Sequence, residues 1–276
     1  MMEGGKKPGW LYAIIPFYAI QSSVGNFVKL YILDLGGSVI SIGLASSAFN
    51  LALIPSAFIG GRLADYFQRR KPLLVLSASG QLATVLMMSM TRNIPFIIGL
   101  FALYSFFSSF SPTIFSLLMM ETMPKERWGD GSAYSFRYMI YGSISGLALG
   151  VLILTTMPLI AVASLPIAFS AAMIVLSVFL VKEPIMTLER RTVALNPETL
   201  ASRLTQLPVI VLRLPKADDF RSILKSARNV MTRDIPLIMI TNALFFLGAN
   251  LFFTSYTPFL KANNLSYFEI TGLDLY

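Results

Sequence analysis

The sequence contains neither cysteine nor histidine. Without thiols there is no disulfide framework and no thiolate to act as nucleophile or metal ligand. Without imidazole the commonest general base and metal ligand is missing. Charge is scarce as well. Asp, Glu, Lys and Arg make up 13% of the 276 residues, against roughly 25% in an ordinary soluble domain. No Ser/His/Asp arrangement, metal-ligand set or phosphate-cradling glycine loop occurs, so the chain reads as a non-enzyme with no cofactor and no metal. The net charge is +8. Its cations lie beside long apolar runs, which points to orientation in a membrane and not to nucleic acid.

What is present is apolar: 55% of residues are hydrophobic and the mean hydropathy is +0.68. A transmembrane helix needs about 20 mostly apolar residues. Seven stretches qualify, at residues 10–33, 39–60, 72–90, 94–119, 133–154, 158–181 and 235–260. The expected fold is an all-α membrane protein. No small-residue cleavage site follows the first apolar run, so that run reads as a span and not as a removed signal peptide. The densest charge of the first half is the stretch Gly60–Lys71, read as a basic loop holding Arg62, Arg69, Arg70 and Lys71 with one carboxylate, Asp65. With the N-terminus inside, all of the 22 Lys and Arg residues except Lys29, Arg92 and Lys261 fall on the cytoplasmic side. The positive-inside rule then predicts a multi-pass protein of the cell membrane with a cytoplasmic N-terminus.

Three regions are expected: a six-helix bundle over 1–181, a charged cytoplasmic segment over 182–234, and the start of a second helical part over 235–276. Within the charged segment, Asp218–Thr232 places Phe220, Ile223, Leu224 and Ala227 at helical spacing. This basic amphipathic helix has two readings, one on the inner membrane surface and one on the cytoplasmic ends of the bundle. A faint internal repeat links residues 27–44 to 252–273. In both, an aromatic helix end leads through a polar turn and a serine into a new apolar run.

Gly61-x-Leu63-x-Asp65-x-x-x-Arg69-Arg70 resembles motif A of the major facilitator superfamily, with Tyr66 and Gln68 where that pattern has Arg and Gly. Glu121-Thr-Met-Pro124-Lys-Glu126-Arg127-Trp-Gly129 is similar to the family's acidic Pro-x-Glu-Arg pattern in the loop after helix 4. The resemblance implies the N-terminal six-helix bundle of a twelve-helix fold, a cytoplasmic loop and a seventh transmembrane helix. By the same resemblance Asp65, Arg69 and Glu121 form a gating cluster, with Gly61 and Arg70 as further motif A positions. The implied function is secondary active transport of a small solute by alternating access, in a truncated or split chain. Its implied partners are the bilayer, the solute and a C-terminal half-transporter chain. The competing readings are a non-transporting membrane scaffold and a seven-helix receptor-like protein.

Polar groups inside spans are costly and therefore functional candidates. Gln21, Asn26 and Lys29 in span one, Arg137 in span five, and Asn242 and Asn250 in span seven are the candidate substrate pathway. Lys29 can line a cavity or snorkel to outer headgroups. Arg137 can pair with Glu121, line an inner vestibule or snorkel. Gly142, Gly146 and Gly150 recur every four residues, a small-residue stripe suited to close helix packing.

Overall fold

Each turn between helices has an identifiable cause. α1 (Ile14–Asp34, preceded by a 3-10 turn Gly9–Ala13) stops at Gly36, whose φ of +80° suits glycine, and Gly37 N–H closes the end on Ile32 O at 2.8 Å. α4 (Ile94–Ser108) starts at Asn93, whose side chain accepts from Phe96 N–H at 3.3 Å. These details come from a computed structural model that describes residues 8–67, 69–181 and 234–273. The expected helix Asp218–Thr232 and most of the charged segment around it lie outside the described residues.

The chain separates into two compact units, Met1–Leu188 with Thr257–Tyr276, and Glu189–Tyr256. In the first unit α2 is Val39–Phe67, α3 is Lys71–Met90, α5 is Phe110–Thr122, α6 is Trp128–Leu154 and α7 is Ser164–Leu180. α8 (Asp234–Ala262) begins in the second unit and its last turns belong to the first, as does α9 (Tyr267–Leu273). Among the described residues seven spans are long and apolar enough to cross a membrane, from Gly9–Asp34 through Ile240–Ala262. They coincide with the runs read from the sequence to within a few residues at most ends, so the chain is an all-α, multi-pass membrane protein.

Apart from α3 and α4, helices that follow one another in sequence are not the main packing partners. α1 packs on α6 and α7, α2 on α4, and α3 on α4 and α7. α1 is the most enclosed, with Phe17, Ile20, Val24, Phe27 and Val28 fully buried. α2 keeps Ile40, Leu51, Ile54 and Phe58 exposed, as a helix bordering lipid can.

Two local features depart from the sequence reading. The stretch Gly60–Lys71 is mostly helix, not loop: α2 runs through Phe67 and α3 starts at Lys71. Leu63 and Ala64 continue the buried face of α2, and burial keeps the helix going past the expected loop boundary. The fourth span is broken at Ser109 into α4 and α5. Pro112 explains the break, because its ring displaces the carbonyl of Ser108 and removes a donor. Hydroxyls from neighbouring helices meet the loosened carbonyls: Ser56 Oγ donates to Phe106 O at 2.6 Å and Ser77 Oγ to Phe107 O at 2.7 Å.

The internal repeat has a structural counterpart. Asn264 has φ +64° and Leu265 N–H bonds to Leu260 O at 3.3 Å, the same helix ending as Gly36 and Gly37 on Ile32. A serine follows two positions later in both places. Ser38 Oγ accepts from Ser41 N–H, and Ser266 Oγ accepts from Glu269 N–H, each at 3.3 Å.

Candidate functional site

One end of the first unit collects the charges of the two sequence motifs. Arg70 occupies the N-cap position of α3 and is only 8% exposed. Its Nε donates to both carboxylate oxygens of Glu121 at 3.1 Å, Nη2 also reaches Oε1, and Nη1 donates to Ala64 O. One guanidinium thus joins the last turns of α2, the start of α3 and the end of α5. A forked, charge-assisted pair of this kind fixes geometry as well as energy. The expected partner of Glu121 was Arg69, and the ion pair is made by Arg70 instead. Because α2 extends to Phe67, only three positions separate the two helices, and Arg70 is the one set at the mouth of α3. Asp65 lies on α2 but its side chain is outside the described residues. A Cβ on Gly61 would meet nothing within 4 Å, whereas one on Gly60 would stand 2.7 Å from Phe110 Cδ1. The close-packed glycine is therefore the neighbour of the motif glycine. At the same end Trp10 Nε1 donates to Thr122 Oγ1 at 3.0 Å and fastens the N-terminal turn to α5.

Deeper in the bundle, the less buried side of α1 carries Tyr18, Gln21, Ser22, Gly25, Asn26 and Lys29 at helical spacing, all half-buried. Gln21 Oε1 accepts from the buried Tyr104 hydroxyl at 2.9 Å, which links α1 to α4. The sequence reading missed Tyr104; a tyrosine within an apolar span was the available signal. Arg137 is exposed, three turns into α6, with its guanidinium 5.9 Å from the Tyr134 ring centroid. Glu121, one of its suggested partners, is held by Arg70. Asn242 is exposed in the second unit, and the Asn250 side chain is outside the described residues.

The three glycines of α6 differ. A Cβ on Gly142 would stand 2.3 Å from Ile15 O, and one on Gly146 would stand 2.4 Å from Ala19 O. On Gly150 it would find nothing nearer than 3.9 Å. Close approach at the first two lets serines bond across the seam, Ser22 Oγ to Ser143 O at 3.1 Å and Ser23 Oγ to Gly146 O at 3.3 Å.

A family model described as Major Facilitator Superfamily matches residues 11–273. The chain belongs to that superfamily. No curated protein compared with it matches. Major facilitator proteins are transporters and not enzymes, and the clustering of Arg70 and Glu121 at one end brings the two motifs of this major facilitator chain into direct contact.

At the opposite end of the first unit is a recess of about 860 Å³ among the turns that follow α1, α3, α6 and α8. Asp34, Ser89, Arg92 and Tyr267 are among its lining residues. Tyr267 donates to Asp34 Oδ1 at 3.1 Å. Burial, then the adjacent Asp34 carboxylate, push its phenol up to about 12. Glu269 is held below the usual carboxylate range because it accepts from the Ser266 backbone N–H and hydroxyl, at 2.7 and 2.8 Å.

Proposed function

We propose that this chain works as a secondary active transporter that moves a small solute by alternating access, with its N-terminus cytoplasmic in the cell membrane. The observation that carries the reading is the half-buried polar row on α1. Amide, hydroxyl and ammonium groups at membrane depth are too costly to leave against lipid, so they belong beside a water-filled route. The family match supports transport as the use of that route. In this reading Gln21, Asn26 and Lys29 meet the solute. The Arg70–Glu121 tie, together with Asp65 of the same motif, steadies one of the two alternating states. The bilayer and a chain supplying a C-terminal half-transporter are the macromolecular partners.

The test is uptake of a panel of labelled solutes into vesicles holding the chain, with and without a co-expressed C-terminal half. Saturable uptake whose KM shifts in Asn26→Ala or Lys29→Ala is the expected result. No uptake above empty vesicles in either arrangement overturns the reading.

A further inference from the structure

Residues 257–273 form a strap over the end of the bundle away from Arg70. Thr257, Leu260, Ile270 and Thr271 are buried, and α9 packs on α6. The strap is internally braced. Asn264 takes a left-handed turn, Ser266 and Glu269 cap α9 reciprocally, and Lys261 Nζ sits 4.0 Å from the centroid of the Tyr267 ring. The bracing fixes where the Tyr267 hydroxyl points, which is at Asp34 Oδ1 on the last residue of α1.

These contacts are not equivalent in a membrane. Ile270 and its neighbours gain little from choosing α6 over lipid, because lipid tails are as apolar as the helix face. A contact biases a conformational equilibrium only if it differs between the two states. The directional, charge-assisted bond from Tyr267 to Asp34 is lost as soon as α9 moves off α1, whereas apolar contact is readily replaced. Tyr267 and Asp34 also line the recess, so the bond lies at its rim. The repeat relation makes the contact one-sided. The positions matching Asp34 and Tyr267 in the other copy are Ala262 and Val39, which cannot form a hydrogen bond between their side chains.

We infer that the Asp34–Tyr267 hydrogen bond is a latch that holds the strap closed over this recess, and that its release opens the end of the molecule opposite Arg70. The inference rests on the alternating-access reading for the use of that opening, but not for the latch itself.

The absence of cysteine gives a clean test. In the full chain in vesicles, Ser89→Cys places a thiol in the recess and Asn263→Cys places one on the exposed turn. Labelling by a hydrophilic maleimide is timed in the parent, in Tyr267→Phe, in Asp34→Ala and in the double variant. The expected result is a roughly three- to ten-fold faster reaction at position 89 in either single variant, the net size of one solvent-exposed hydrogen bond. The double variant adds nothing further, and position 263 is unchanged throughout. Equal rates at position 89 in all backgrounds, or additive effects in the double variant, overturn the latch. A chain that shows this coupled pattern yet takes up no solute keeps the latch and loses the transport reading.

Discussion

Arg70 and Glu121 pair with side chains 9% and 29% exposed, so the arginine is desolvated and the acid only partly so. Removing the acid strands a largely buried cation, and removing the arginine frees three helix ends. We expect Arg70→Ala to cost about 2 kcal/mol, below the full penalty of a buried pair because Glu121 still meets solvent. Arg69→Ala should stay within about 0.5 kcal/mol. Melting of the purified protein in detergent compares the two, and an equal loss would contradict the assigned pairing. The motif resemblance grouped Asp65, Arg69 and Glu121 and set Arg70 next to them. It could not show which arginine, because that turns on where α2 ends, and one residue of helix rotates a side chain by about 100°. A second residue-scale expectation concerns Tyr267. Its phenol is raised in the folded protein, so its contribution is whole below the ordinary phenol value of 10.0 and is lost as pH climbs through about 12. An ultraviolet difference titration against Tyr267→Phe should show that late tyrosinate. Asp34→Asn should bring its midpoint only part of the way back, since burial is the larger cause.

The α1–α6 seam is an element built on backbone proximity. A methyl at Gly146 has to displace Ala19 O and the hydroxyls of Ser22 and Ser23, all closer than 3 Å. Gly146→Ala should therefore cost about 1–3 kcal/mol by overpacking, while Gly150→Ala is neutral or slightly stabilising through helix propensity. Thermal melting of the two variants decides it, and equal behaviour would remove the close-packing account. The four-residue spacing of these glycines was legible as a packing stripe. The difference between Gly146 and Gly150 was not, because it depends on where α1 diverges from α6. The break between α4 and α5 follows the same logic. Pro112 was visible in the sequence, but the hydroxyls that meet the loosened carbonyls sit on α2 and α3, some fifty and thirty residues away. Ser56→Ala and Ser77→Ala should each cost about 0.6 kcal/mol, the usual size of an interhelical hydrogen bond in a membrane.

For the molecule as a whole, hydropathy located the spans because the bilayer demands about 20 apolar residues wherever the chain crosses it. Hydropathy says nothing about neighbours, since every lipid-compatible helix looks alike to it. The pairing of α1 with α6, α2 with α4 and α3 with α4 is instead recorded in small residues and serines whose partners are far away in sequence. Orientation is a separate question, and charge is what predicts it. The Arg62–Lys71 stretch and the Lys125–Arg127 turn share one end through the Arg70–Glu121 tie, and the turn at Asn263 lies on the recess side with Asp34. Translocating the first end would carry several cations across the membrane, whereas translocating the second carries few. Because the chain has no native cysteine, single thiols at exposed Lys125 and Asn263 can report each side without background. In intact cells a membrane-impermeant maleimide should label Asn263→Cys directly and Lys125→Cys only after permeabilisation. The opposite pattern would reverse the topology, and labelling of both from outside would mean that the cations do not set it.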